Sequence, residues 1–69
     1  MKNNMKTTTI ILLQALNDDA EMALNGNKNV LPAMGRIVEK LESINHNKKV
    51  IATESGYRLV DKDEIKDGK

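Results

Sequence analysis

The sequence predicts a small α+β domain in which two or three helices are followed by a β-hairpin. An apolar stripe at helical spacing runs between residues 8 and 25, and a sharper one runs between 29 and 45. Two β-rich runs, Val50 to Thr53 and Tyr57 to Val60, then flank a Glu-Ser-Gly turn. The 69 residues form a single domain. Residues 1–6 are polar and "DKDEIKDGK" offers only Ile65 as an anchor, so 1–6 and 61–69 are expected as mobile tails.

In "TTTIILLQALNDDAEMALNG", residues Leu12, Leu13, Leu16, Ala20, Ala23 and Leu24 fall on one arc at about 100° per residue, and Gly26 follows as a left-handed stop. Asp19 falls inside that arc, and a carboxylate in a core is costly unless it points outward. A break at Asn17-Asp18 resolves the conflict, with Asp18 capping a short second helix and Glu21 three residues on completing a box-like pair. One continuous helix with Asp19 at its solvent edge is the alternative. Ile11 lies opposite the stripe beside Gln14, so the "IILL" run is apolar all round, as in helices covered on more than one side.

From Asn29 as N-cap to about Asn45, residues Val30, Leu31, Met34, Ile37, Val38, Leu41 and Ile44 share an arc of roughly 140°. Leu31, Met34, Val38 and Leu41 are read as core, Met34 as filler for an irregular gap. Asn29, Pro32, Arg36, Glu39, Lys40 and Ser43 form the opposite side, with Pro32 in the first turn, where a missing N–H has no intrahelical acceptor anyway. Gly35, inside the helix, costs about 1 kcal/mol relative to Ala, which points to close packing or a close partner. In the hairpin, a three-residue loop with positive φ at Gly56 places Ile51 and Thr53 on the face of Tyr57 and Leu59, so that Ile51 and Leu59 anchor it and Arg58 points away.

Several chemistries are excluded by composition. There is no Cys, hence no disulfide or thiolate metal site. The one histidine, His46, sits in a polar "NHNKK" turn without a preorganised partner, so no enzyme and no cofactor are expected. Asp18-Asp19 lack the alternating ligands of a calcium loop, and "GNKNVLPAMG" lacks the spacing and the Lys-Ser/Thr of a phosphate loop. No apolar run reaches the roughly 20 residues of a membrane span and no signal-peptide h-region is present, so a soluble, cytoplasmic chain is expected. Without a disulfide or a metal, self-association is the remaining way to support so short a chain, and a homodimer through Ile10, Ile11 and Met22 is expected. Eleven basic against ten acidic residues leave a net charge of +1, so any electrostatic partner must meet a local patch. The richness in Asn, Lys and Ile fits an AT-rich coding genome such as that of a phage, a plasmid or a Gram-positive host.

The order of parts in "MGRIVEKLESINHNKKVIATESGYRLV" is a helix, a polar turn, a strand, a Gly-containing loop and a strand. It resembles the second half of winged helix-turn-helix DNA-binding domains, with 8–17, 18–25 and 29–45 as the three helices. The resemblance implies double-stranded DNA as partner and a regulatory function. It also implies base-edge or phosphate contacts from Asn29, Arg36 and Lys40 with Ser43 nearby, and phosphate near Asn27 and Lys28, where a helix N-terminus favours anions. Ser55 and Arg58, with Glu54, form the implied wing, and Lys48 and Lys49 join Arg58 in presenting charge to the backbone. A second reading is a small inhibitor or adaptor that binds another protein through the hairpin or the Ile11 surface, with no DNA-binding activity.

Overall fold

A computed structural model describes residues 6–65. The elements are α1 (Thr7–Leu24), a 3₁₀ turn (Lys28–Val30), α2 (Leu31–Ile44), β1 (Lys48–Thr53), β2 (Gly56–Asp61) and the four-residue α3 (Lys62–Ile65). Two helices followed by an antiparallel hairpin is the α+β arrangement the sequence predicts. The tails expected at 1–6 and 61–69 lie mostly outside the described residues; within them, Asp61 closes β2 and 62–65 form α3. Among the described residues no helix is long and apolar enough to cross a membrane.

The expected break at Asn17-Asp18 does not occur: α1 is one helix of 18 residues. Asn17 explains why. Its Nδ2 donates to the Leu13 carbonyl one turn back (3.2 Å) and to the Tyr57 carbonyl across the molecule (3.2 Å), while its Oδ1 accepts from the Tyr57 N–H (2.7 Å). The side chain is satisfied by the hairpin and does not compete with the helix backbone, so the usual reason for Asn to interrupt a helix is removed. Asp18 and Glu21 are exposed on the helix and cap nothing, and Asp19 is half-buried at the edge of the stripe. The helix ends as expected at Gly26 (φ +105°). There the Gly26 N–H donates to the Ala23 carbonyl (3.0 Å) and the Asn27 N–H to the Met22 carbonyl (3.0 Å), the two bonds of a Schellman closure.

Helix α2 starts at Leu31, one residue later than an Asn29 N-cap implies. Asn27, not Asn29, caps this region, its side chain accepting from the Asn29 N–H (3.2 Å) to close the 3₁₀ turn; Pro32 then occupies the first turn of α2. At the far end, Asn45 Nδ2 donates to the Leu41 carbonyl (2.9 Å) and to Thr9 Oγ1 (3.1 Å), tying the end of α2 to the start of α1. Thr9 is fully buried there, and this pairing makes burial of its hydroxyl affordable in free-energy terms.

The core is Leu16, Leu41 and Leu59, packed by Leu12, Leu13, Met34, Ile37, Val38, Val50 and Tyr57. Two leucines assigned to core arcs are not in it: Leu24 is 86% exposed and Leu31 is 50% exposed. Gly35 is also exposed, and a Cβ built on it meets nothing within 4 Å. Intramolecular packing therefore does not require glycine here. Gly35→Ala should raise stability by about 0.5–1 kcal/mol in urea unfolding through the lower entropy of the unfolded chain, and a loss of stability would show that this surface is covered.

The hairpin pairs Lys48 with Asp61, Val50 with Leu59, Ile51 with Arg58, Ala52 with Tyr57 and Thr53 with Gly56. Its loop is thus two residues, Glu54 and Ser55, with Gly56 at φ +125° inside the strand rather than in a three-residue loop. A one-residue change of register exchanges the faces of a strand. Val50, Leu59 and Tyr57 therefore anchor the hairpin, while Ile51 lies on the outer face with Arg58. Arg58 does point away from the core, as expected.

Candidate functional site

Val50 and Leu59 hold the base of the hairpin on the helix pair. Two pairs closer to the tip and on the same face, Ala52 and Tyr57 line an open-sided cleft of about 620 Å³, whose other walls are the C-terminal half of α1 and the start of α2. Leu24, Leu31, Met34, Ala20 and Ala23 supply its apolar surface. A cleft of this size is within the range of about 300–1,000 Å³ usual for binding sites. It exists because α1 ends and α2 begins in leucines that the short hairpin does not cover, and because Gly26 and the 3₁₀ turn hold those two ends side by side.

The walls are fixed by polar contacts. Asn17 clasps the Tyr57 backbone from α1, and Gly56 allows the approach, since a Cβ there would stand 2.6 Å from Asn17 Oδ1. At the tip, Thr53 Oγ1 donates to the Gly56 carbonyl (2.6 Å) and accepts from the Ser55 N–H (3.2 Å), which fixes the loop that carries Glu54. Every charged residue lining the cleft is acidic: Asp18, Glu21 and Glu54.

Helix side chains also occupy backbone groups at both edges of the two-stranded sheet. Asn17 takes the outward N–H and carbonyl of Tyr57 on β2, and Glu42 Oε2 accepts the outward Val50 N–H on β1 (3.0 Å). The Lys48 N–H donates to the Asn45 carbonyl (2.9 Å). Exposed edges otherwise serve as templates for an added strand. This occupation leaves fewer open backbone groups on which a further strand could pair.

The residues expected to contact DNA do not form one surface. Asn27, Lys28 and Asn29 are exposed in the turn between the helices, beside the cleft end of the molecule. Lys48 and Lys49 lie at the opposite end, separated by the length of α2, about 21 Å for its 14 residues. Lys48 is held by Asp61 across the hairpin (2.6 Å), and Lys49 approaches Glu42 (3.9 Å). Arg36, Lys40 and Ser43 are exposed on α2. Glu42 marks the hairpin side of that helix, and at about 100° per residue Glu39 lies about 60° round from it, Arg36 about 120° and Lys40 about 160°. Glu39 thus stands between the basic stripe and the hairpin. Ser55 is exposed at the tip, and Arg58 and Lys49 are exposed together on the outer hairpin face with Ile51 and Val60.

Sequence reasoning missed Asn17, Glu42, Thr9 and Asn45, whose partners lie 8 to 40 residues away along the chain. It also missed the cleft, although Tyr57, the single aromatic residue, was a signal. His46 is exposed in its turn, and among the described residues no group of His, Asp and Glu side chains could hold a metal ion. No protein-family model, curated protein or solved structure matches the chain.

Proposed function

We propose that the protein is a small protein-binding module of the inhibitor or adaptor kind, which takes an apolar segment of its partner into the cleft between the hairpin tip and the helix pair. The observation that carries this reading is the cleft itself, with Leu24 and Leu31 exposed at its mouth. Burying such side chains contributes roughly 25 cal/mol per Å² of apolar surface. Tyr57 adds a large, stiff side chain of the kind enriched among residues that dominate binding energy. The Asn17 clasp and the Thr53 bonds hold the walls in place before binding, so less ordering entropy is lost when a partner enters. The dispersed and partly paired cations make an alternative DNA-reading role the less supported one.

The test is a pair of measurements on the full chain. Selection from a random peptide display library should enrich peptides that bind wild type and lose binding to the Leu24→Ser, Leu31→Ser double variant. Anisotropy with labelled duplex should show no saturable binding at low salt. Saturable duplex binding that weakens when Arg58 and Lys49 are both replaced by Ala, with the slope of log affinity against log salt reduced by about two, would support the DNA reading instead.

We also propose self-association through α1. Ile10 is 48% exposed, Ile11 58% and Met22 42%. Ile11 and Met22 lie within about 20° of each other around the helix, forming an outward stripe on the side away from the core. Sedimentation at tens of micromolar should show a dimer that Ile11→Asp dissociates. A wild-type monomer would end this part of the proposal without touching the cleft.

A further inference from the structure

We infer that the occupant of the cleft is a cationic amphipathic segment of a partner protein, with apolar side chains seated against Leu24, Leu31 and Tyr57 and Lys or Arg flanking them. This deepens the protein-binding reading and rests on it. Asp18 and Glu21 project from α1 on one side of the apolar floor, and Glu54 from the hairpin tip on another. The sign is local, since the chain as a whole carries +1. Among the described residues the ion pairs are Lys48 with Asp61 and Lys49 with Glu42, so none of the three rim carboxylates is paired with a cation of the described residues. All three are exposed, and each gains an interaction when a cation arrives. An apolar floor edged by like charges selects its partner twice: burial supplies affinity, and the rim speeds encounter with cationic segments and repels acidic ones. Within the cleft the same rim opposes nucleic acid phosphates and anionic lipid headgroups, Lys28 lying outside it in the turn between the helices.

A second copy of the chain is the nearest competing occupant, because the outer hairpin face combines Lys49 and Arg58 with Ile51 and Val60. Such a contact is heterologous and does not close on itself, so it would give chains of copies that grow with concentration. The segment of a separate partner is the occupant proposed here.

The experiment uses a labelled amphipathic Leu/Lys peptide and a Leu/Glu peptide of the same apolar pattern, titrated with the full chain at low and physiological salt. The Leu/Lys peptide should bind and the Leu/Glu peptide should bind at least about tenfold more weakly, the scale of one or two exposed ion pairs. Joint Glu21→Lys and Glu54→Lys should weaken Leu/Lys binding by about tenfold or more, and joint Leu24→Ser and Leu31→Ser should also weaken it. All four positions are exposed, so the variants should fold, with thermal melts as the check. Equal binding of both peptides, still dependent on Leu24 and Leu31, would overturn the cationic inference and leave the protein-binding reading standing. Leu/Lys binding that survives Leu24→Ser, Leu31→Ser would be diffuse charge attraction and would overturn the inference. The same is true of binding by neither peptide, and of concentration-dependent chain growth abolished by that double variant. In each case the display selection judges the broader reading separately.

Discussion

Leu41→Ala is expected to lower stability by about 2–5 kcal/mol, the range for deleting a fully buried leucine side chain. Leu41 has 0% exposure and shares the core with Leu16 and Leu59, the other buried apolar residues among those described. A chain of 69 residues at the usual 0.05–0.15 kcal/mol per residue holds roughly 3–10 kcal/mol in total, so one truncation removes a large share. Thermal unfolding should move down by about 10 °C or more, since 1 kcal/mol corresponds to about 4–8 °C at this size. Leu24→Ala supplies the control. The chemistry is identical, but at 86% exposure its cost should stay within about 0.5 kcal/mol. Equal effects of the two substitutions would mean that the core is not where the structure places it.

The second large effect is expected at Gly56. Substitution by Ala forces an L residue to φ +125°, a strained conformation costing about 1–3 kcal/mol, and places a Cβ 2.6 Å from Asn17 Oδ1. Asn17 must then move, releasing the Tyr57 N–H and carbonyl, with a further penalty of about 1–3 kcal/mol for part-buried groups left unpaired. Asn17→Ala alone should incur mainly that second penalty. The double-mutant cycle separates the two causes: without the Asn17 side chain there is nothing for the new Cβ to strike, and only the backbone strain remains. Gly56→Ala should therefore cost less by about 1 kcal/mol or more in the Asn17→Ala background. Strict additivity would show that the new Cβ does not displace Asn17, while the contribution of the clasp itself is read from Asn17→Ala alone.

Local chemistry made much of this fold legible. The stripe of Met34, Ile37, Val38 and Leu41 marks α2, Pro32 its first turn, and Gly26 the stop of α1, because each depends on neighbours a few residues away. The misreadings share a cause, which is that their physics is non-local. Asn17 looks like a helix breaker until its partner on Tyr57, 40 residues on, is in view. The hairpin register depends on whether Gly56 pairs with Thr53 or sits in the loop, and that single step exchanges Ile51 for Val50 at the core. Leu24 and Leu31 carry the same periodic signature as core leucines; their exposure follows from where the hairpin stops, which no periodicity encodes.

Charge was legible residue by residue and not as a surface. Arg36, Lys40, Lys48, Lys49 and Arg58 are all basic positions, yet the fold turns the α2 pair away from the hairpin and pairs Lys48 with Asp61. Asp18, Glu21 and Glu54 are scattered along the chain and meet only around the cleft.

Amide chemical shifts of the isotope-labelled full chain, titrated in turn with the Leu/Lys peptide and with duplex DNA, test the central claim most directly. The peptide should shift a contiguous set at 17–24, 31–34 and 52–57, the segments that wall the cleft, while the duplex leaves the spectrum unchanged at physiological salt. Duplex-induced shifts centred on Arg36, Lys40, Lys49 and Arg58, with the cleft segments unmoved by peptide, would contradict it.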